Sequence, residues 1–182
     1  MAKALLKGLV RSLVGDYGIY RIFAVDLPQA VAPLPPGVEI RPIDSPVLEA
    51  SDDPELRARA WYGGAEAQGF GLYADGELAA IQWYWWGERY RRRRNSWPLG
   101  PGGAKSVELY TRPQYRGRGY AALLKLHTAE AMAERGFRRL YSRIWHSNGP
   151  SIRVSEKTGW RRVGTYIELH PLGRKVSFRL PF

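Results

Sequence analysis

The chain of 182 residues contains no cysteine and only three histidines. The absence of cysteine excludes a disulfide framework and thiolate metal ligands. His127, His146 and His170 do not pair at a metal-ligand spacing, so we expect no metal site. A chain without cysteine is compatible with a reducing compartment, and we expect a cytoplasmic protein.

Long apolar segments are also missing, since no run approaches the roughly 20 residues that span a bilayer. Residues 1–15, MAKALLKGLVRSLVG, place leucine and valine at helical spacing and repeat a cation every four residues at Lys3, Lys7 and Arg11. This pattern predicts a basic amphipathic helix rather than a secretory signal. Two interpretations stay open: packing on the domain or on the second subunit of a homodimer, and peripheral membrane contact through residues 3–14.

Acidic residues are scarce as well, with 17 against 28 lysines and arginines and a net charge of +11. This excess favours an acidic or polyanionic partner, such as a phosphate-bearing cofactor or substrate, nucleic acid or an anionic lipid. Apolar residues nevertheless make up 45% of the chain. That share is enough for a packed core, so we expect a globular domain.

Alternation and turn signals predict one mixed α/β sheet. Residues 1–37 read as an N-terminal extension of helix, strand and proline-rich connection, and residues 38–182 as the main domain. Asp75-Gly76 is a tight-turn signal between two strands, and residues 89–103 read as a basic loop. Strands are expected at 17–27, 38–43, 70–73, 77–86, 106–111, 138–145, 161–170 and 175–180, and helices at 46–62, 120–135 and 150–157.

Residues 107–121, VELYTRPQYRGRGYA, form the most informative segment. A strand leads through a proline and a turn with two glycines into a helix. Such a junction directs unpaired backbone N–H groups and the positive end of the helix dipole at one point, and glycine leaves room there for a phosphate. Arg116 and Arg118 add positive charge, so we predict a phosphate site; the alternative is a tight turn with solvated arginines. The segment lacks the Gly-Lys-Ser/Thr end of a Walker loop, and Ala122 stands where a dinucleotide fingerprint has its third glycine.

The same turn resembles the cofactor signature of the GNAT acyltransferases, Gln/Arg-x-x-Gly-x-Gly/Ala, at Gln114, Gly117 and Gly119. Downstream, NGPS at 148–151 and EKTGW at 156–160 resemble that family's Asn-x-x-Ser/Ala and Glu-Lys-x-Gly-Phe, with tryptophan in place of phenylalanine. Two signatures in the correct order are more specific than either alone. The resemblance implies an α/β fold with a single mixed twisted sheet of GNAT type and helices on both faces. The N-terminal helix–strand extension, which the sequence pattern predicts, precedes this fold.

The resemblance also implies an activity: transfer of acetyl from acetyl-CoA, or of another acyl group from its acyl-CoA, to a primary amine by direct attack in a ternary complex. The acceptor stays open among an amino sugar, a polyamine, an amino acid and a protein N-terminus, with an amino sugar or another small amine favoured. Backbone N–H groups at the turn would hold the CoA pyrophosphate, the strand edge would pair with the pantetheine amides, and Asn148 would bond the pantetheine arm. The implied cofactor-binding residues are Leu109, Tyr110, Thr111, Gln114, Arg116, Gly117, Arg118, Gly119, Tyr120, Ala121, Asn148 and Ser151.

Three residues are candidates for catalysis. The family often has a tyrosine just before its Glu-Lys pair as the acid for the leaving thiolate, and this chain has Ser155, whose shorter hydroxyl acts through water or not at all. Glu108 is a candidate base on the central strand, and the alternative is a carboxylate paired with an arginine. His146 is a candidate at the end of a strand because histidine is the usual side chain for acid–base catalysis near neutral pH, and the alternative is a structural histidine.

Two other features leave alternatives open. Arg89 and Arg91 to Arg94 form a basic run that is either a solvated loop or a contact to an acidic acceptor or to the CoA 3′-phosphate. QWYWW at 82–86 is mostly core, and one of its faces is a candidate floor for the acceptor pocket.

Two other classes compete with an enzyme. One is a non-catalytic GNAT-like CoA-binding protein, which Ser155 favours. The other is a basic nucleic-acid or membrane-surface binding module, which leaves the glycine turn and Asn148 unexplained. Nucleic acid is therefore not the expected partner.

Overall fold

The computed structural model describes residues 17–94, 97–171 and 174–181. The predicted amphipathic helix at residues 1–15 lies outside these residues, as does part of the turn before the last strand. The strands are β1 (Tyr17–Asp26), β2 (Val38–Ile43), β3 (Ala67–Ala74), β4 (Glu77–Trp85), β5 (Gly103–Thr111), β6 (Arg139–Trp145), β7 (Arg161–Leu169) and β8 (Val176–Pro181). The helices are α1 (Ser45–Glu49), α2 (Pro54–Arg57), α3 (Gly87–Arg94), α4 (Tyr120–Glu134) and α5 (Gly149–Lys157).

All eight strands form one sheet in the order β2-β3-β4-β5-β6-β1-β7-β8. β5 and β6 run parallel, and the other described pairs are antiparallel. α4 connects the parallel pair, as a crossover of this kind requires. The predicted mixed sheet is confirmed.

β1 lies inside the sheet, between β6 and β7. Its register pairs Tyr20 with Trp145 of β6 and Ile22 with Gly164 of β7. The strand that the sequence pattern assigned to the N-terminal extension is therefore hydrogen-bonded on both edges by strands of the main domain.

The hairpin of β3 and β4 forms as predicted. Asp75 and Gly76 have φ angles of 50° and 84°, and Ala74 pairs with Glu77 across the turn. Two residues with positive φ match the right-handed twist of the flanking strands.

Two element predictions are wrong. The expected helix at 46–62 is divided into α1, α2 and a short 3₁₀ turn, because Pro54 has no N–H to continue a helix and Asp53 caps α2 by accepting from Glu55 N at 2.9 Å. The expected basic loop begins with α3 and ends at Gly103, where β5 already starts.

Helices cover both faces of the sheet. On one face α4 and α5 contribute Leu124, Met132 and Ile152 to a core with β3 to β6, and Tyr84 of β4 bonds Thr128 of α4 at 2.9 Å. On the other face Leu48 of α1, Leu56 of α2 and Tyr90 of α3 pack with Trp83 and Trp85. The predicted helices on both faces are confirmed.

Candidate active site

The parallel strands β5 and β6 separate halfway along their length. Their pairing runs from Gly103 opposite Arg139 to Ser106 opposite Ser142 and ends there. The register of β4 with β5 also shifts at this point, so that Trp83 opposes Glu108 while Tyr84 opposes Ser106. The extra residue between them bends β5 away from β6, as a β-bulge does. A gap therefore opens between two central strands.

The glycine turn lies at the entrance of α4, beside this gap. Gly117 and Gly119 have φ angles of 79° and 80°, in the left-handed region that favours glycine. A Cβ built on either residue meets no atom within 4 Å. Within the described ranges, no protein atom accepts a hydrogen bond from the N–H groups of residues 117–121. The turn is thus an open concave site with several unpaired donors at the positive end of a helix dipole.

A groove of about 610 Å³ extends from this turn along the free edge of β5 toward α5. Arg116 Nε donates to Thr111 O at 3.1 Å, which holds that side chain across the end of β5. Gln114 and Arg118 do not line the groove; the Arg118 guanidinium lies 5.5 Å from the ring centroid of Tyr115. The predicted cofactor residues that line it are Leu109, Tyr110, Thr111, Arg116, Gly117, Gly119, Tyr120, Ala121, Asn148 and Ser151. Residues of the lining that motif reasoning missed are Tyr115, Ala122, Pro150, Val154 and Lys157.

Asn148 begins α5 and borders both the groove and the gap. Its side-chain oxygen accepts from Ser151 N at 3.2 Å, the geometry of a helix N-cap. This bond orients the amide with its NH₂ group available as a donor. The signature Asn-x-x-Ser therefore has a local structural cause, a cap followed by a helical turn.

A second cavity of about 150 Å³ lies within the gap itself. Glu108 lines it and accepts from Arg59 Nε at 3.3 Å, with its side chain 20% exposed. Tyr62 lies beside the same carboxylate. Burial first, and then the charge of Glu108, raise the pKa of Tyr62 to about 12. Arg59 and Tyr62 come from the segment between α2 and β3, and no motif in the sequence pointed to them.

The two other predicted catalytic residues differ in position. Ser155 lines the gap cavity and is 1% exposed, but its hydroxyl donates to Ser151 O at 3.0 Å within its own helix. His146 follows β6, lies with its ring tilted against that of Trp145 at 5.1 Å between centroids, and lines neither cavity. The structure thus brings Glu108 and Ser155 together and leaves His146 outside.

Lys125 of α4 also lines the gap cavity, a position that the sequence did not reveal. It is 1% exposed, and its Nζ lies 3.5 Å from the ring centroid of Trp160. Burial lowers the pKa of Lys125 to about 7. A lysine in this state exchanges its proton near neutral pH.

Neither a metal centre nor a membrane span emerges from the part of the chain that the structure describes. It contains no group of three or more histidines and carboxylates that could hold a metal ion. None of its helices is long and apolar enough to cross a membrane.

The fold and the site together define a class: an α/β domain with an open turn of unpaired backbone donors at a helix N-terminus and a cavity between two diverging central strands. The family model of the acetyltransferase (GNAT) family matches residues 37–160, more than half of the chain. The chain therefore belongs to the GNAT acetyltransferase family, and the resemblance inferred from the two signatures is confirmed.

Sequence similarity to a named acetyltransferase supports this family assignment. A phosphinothricin N-acetyltransferase from Streptomyces coelicolor is 38% identical over 79 residues, which are 42% of this chain and 44% of that protein. The match therefore spans less than half the length of that relative.

Solved structures agree as well. A GNAT-family protein from Novosphingobium aromaticivorans has a TM-score of 0.59 at 26% identity, with 86% of this chain and 65% of that chain covered. A GCN5-related N-acetyltransferase from Sphaerobacter thermophilus has a TM-score of 0.61 at 14% identity, with coverage of 99% and 58%, and shows the fold alone. This chain spans less than two thirds of either structure.

Proposed function

We propose that this protein transfers an acetyl group from acetyl-CoA to the primary amine of a small molecule, by direct attack with both substrates bound. The observation that carries the proposal is the open turn at Gly117 and Gly119 beside the gap between β5 and β6. Membership of the GNAT acetyltransferase family and the partial match to a phosphinothricin N-acetyltransferase support it.

The groove suits coenzyme A along its length. The unpaired N–H groups of residues 117–121 suit a pyrophosphate, and Lys157 at the groove adds a cation. Beyond the divergence, β5 offers an unpaired edge to the two amides of the pantetheine arm, as a sheet edge does to an added strand. Asn148 is positioned to donate to the same arm. When bound, acetyl-CoA supplies an acetyl group activated as a thioester.

Glu108 is the proposed base. The attacking amine forms its N–C bond as the C–S bond breaks, and the proton that the amine loses passes to Glu108, directly or through water. Arg59 holds the carboxylate in the gap at 3.3 Å, and a backbone N–H of β5 stabilises the oxyanion.

Lys125 is the proposed donor of the proton that the leaving thiolate takes up. Ser155 directs its own proton to Ser151 O, whereas Lys125 lines the same cavity with an ammonium that burial makes acidic. Lys125 of α4 thus provides the proton for the thiolate in place of Ser155.

Initial-rate kinetics test this proposal. We expect thiol release from acetyl-CoA that depends on an added amine, with double-reciprocal plots that intersect, because the chain has no cysteine to carry an acetyl group. Parallel plots, or acetylated protein trapped in mass spectrometry, would contradict direct transfer. Calorimetric binding of CoA with no thiol release for any amine would instead identify a non-catalytic CoA-binding protein.

A further inference from the structure

Lys105 of β5 is a buried lysine for which the proposed reaction has no use. It is 4% exposed, and its Nζ has no hydrogen-bond partner among the described residues. The Nζ lies 4.1 Å from the ring centroid of Trp97, and this cation–π contact stabilises the protonated side chain. An ammonium in such a place is costly unless a counter-charge reaches it.

The charges around Lys105 are positive. Burial first, and then Arg143, Arg94 and Lys125, hold the pKa of Lys105 well below its ordinary value. Arg143 pairs with Glu168 at 3.3 Å, but that carboxylate is also bound by Lys175 at 2.7 Å. The positive charges of Arg94 and Arg143 therefore oppose protonation of Lys105 unless an anion binds beside it.

Arg94 and Arg143 are held in place around this lysine. Arg94 Nη2 donates to the Tyr62 hydroxyl at 2.9 Å, and the Arg143 guanidinium lies 4.4 Å from the ring centroid of Tyr20. Arg91 and Arg92, on the same helix as Arg94, are 61% and 80% exposed in their side chains. The basic run thus divides into a solvated face at Arg91 to Arg93 and two partly buried residues. Arg89 donates to Gly63 O, and Arg94 donates to the Tyr62 hydroxyl.

A small cavity of about 20 Å³ lies among Arg94, Lys105 and Arg143. That volume suffices for one water-sized atom, such as an oxygen of an oxyanion. Ser106, Val107 and Arg143 line both this cavity and the gap cavity of Glu108, so the two adjoin.

The small cavity lies on the face of the sheet opposite α4, which we take as the acceptor side. Lys105 opposes Trp85, which packs with Tyr62 and Tyr90, whereas the next residue, Ser106, opposes Tyr84 on the face that α4 covers. Since side chains alternate along a strand, Lys105 lies on the face opposite α4 and the glycine turn.

We propose that the acceptor amine carries an anionic group, a carboxylate or a phosphoryl-type oxyanion, and that Lys105 binds this group together with Arg94 and Arg143. The amine then lies at Glu108 while the anionic group lies at Lys105, three positions earlier on the same strand. The oxyanion supplies the acceptor that Lys105 Nζ lacks among the described residues, and its charge favours the protonated lysine, which then donates charge-assisted hydrogen bonds. This inference rests on the proposed acetyl transfer and specifies its substrate class.

Matched acceptor pairs test it. Amino carboxylates are compared with their amides, and aminoalkylphosphonates with their neutral diesters, by kcat/KM for thiol release. We expect at least one acid to exceed its neutral partner by about 30-fold or more, the scale for a buried charge pair. Which series shows the preference distinguishes a carboxylate from a phosphoryl group. A wild-type protein that favours the neutral member throughout overturns the proposal.

The Lys105→Met variant tests the residue, with Arg91→Met as a control that removes one exposed charge from α3. We expect the acid-to-neutral ratio to fall to within about threefold in Lys105→Met and to stay unchanged in Arg91→Met. A ratio that persists in Lys105→Met, or falls equally in both variants, overturns the assignment. Lys105→Gln provides a second variant should the methionine protein fail to fold.

Two binding measurements test whether Lys105 binds the cofactor instead of the acceptor, and whether it binds an anion even without acetyl transfer. If CoA affinity falls tenfold or more in Lys105→Met, the cluster serves a phosphate of the cofactor and the proposal is wrong. If no amine releases thiol, the proposed acetyl transfer is wrong. The anion site can then be tested by adding inorganic phosphate or acetate, with chloride at equal ionic strength as the reference. We expect either anion to raise the thermal midpoint of the wild type and not of Lys105→Met; equal behaviour of the two proteins overturns the site.

Discussion

Buried lysines set the electrostatic character of this protein at the scale of single residues. Lys105 and Lys125 are 4% and 1% exposed and lie on opposite faces of the divergence between β5 and β6. Lysine is rarely buried without a carboxylate partner, and the cost of burying its charge appears as a lowered pKa. We therefore expect the protonation of these lysines to make both the properties of the site and the stability of the fold depend on pH.

Stability should rise with pH because of Lys125. Its pKa is about 7 in the folded protein and 10.5 in the unfolded chain, so between these values the unfolded chain binds the additional proton. The free energy of unfolding then increases with pH, and the penalty of the buried charge is fully present only below pH 7. Lys125→Met removes the penalty, so its advantage over the wild type should shrink by about 2 kcal/mol between pH 7 and 9.

Urea unfolding at pH 7, 8 and 9 measures this difference. The upper limit avoids tyrosines such as Tyr62, whose raised pKa lowers stability at higher pH. Lys157→Met, at an exposed position of α5, serves as the control and should show a pH-independent difference from the wild type. A constant difference for Lys125→Met as well would mean that Lys125 keeps an ordinary pKa.

At the scale of elements, the entrance of α4 combines two demands on Gly119. Its φ of 80° favours glycine in any protein, and the open space before it is where a phosphate is proposed to bind. Gly136, just beyond the other end of α4, has a φ of 88° and equally open surroundings, but it does not line the groove. A comparison of variants at Gly119 and Gly136 therefore distinguishes the effect of backbone strain from the loss of the binding site.

We expect Gly119→Ala and Gly136→Ala to destabilise the protein similarly, by about 1 kcal/mol, since both force a Cβ into the left-handed region. CoA affinity should fall at least tenfold in Gly119→Ala alone, because its Cβ occupies the space for the pyrophosphate. Thermal unfolding and calorimetry provide the two readouts. Equal CoA affinities in the two variants would show that the turn does not hold the cofactor.

Local signals were sufficient for some elements and not for others. Asp75-Gly76 fixes the hairpin of β3 and β4 because its φ angles depend on these two residues. The arginines after Gly87 lack a local loop signal of that kind, and α3 forms where Glu88 pairs with Arg91 and Arg92. The place of β1 between β6 and β7 follows from pairing across more than a hundred residues, which no local pattern encodes.

The candidate site shows the same division. The glycine turn and Asn148 were predictable because their motifs describe a local geometry, a left-handed turn and a helix cap. Arg59 and Lys125 were not, since their place in the gap depends on how α2 and α4 pack on opposite faces of the sheet. Side chains from non-adjacent elements become visible as a site only in the folded structure.

At the scale of the whole molecule, the net charge of +11 is divided between a site and a surface. Arg94, Lys105 and Arg143 concentrate charge at the acceptor side, where it is proposed to bind an anion. Many other cations are exposed, among them Arg91 and Arg92. Exposed cations raise association rates with acidic partners through long-range attraction, which salt screens.

The last prediction concerns residues 1–15, whose sequence pattern indicates attachment to a membrane surface or to a second subunit. β1 begins at Tyr17 and is paired on both edges, so deletion of residues 1–15 leaves every described strand intact. We expect CoA affinity to stay within about threefold, because distant sites are usually nearly additive. Light scattering or pelleting with anionic liposomes should instead show a change of oligomeric state or of membrane association.

A full-length control keeps the chain length and replaces two apolar residues of the predicted helix, through Leu5→Ser and Leu9→Ser. It should reproduce the effect of the deletion, since attachment through an amphipathic helix depends on buried apolar area. Loss of CoA binding in either variant, with unchanged size and liposome binding, would place residues 1–15 within the catalytic domain. Retention of all three properties in both would show that the segment serves neither attachment nor catalysis.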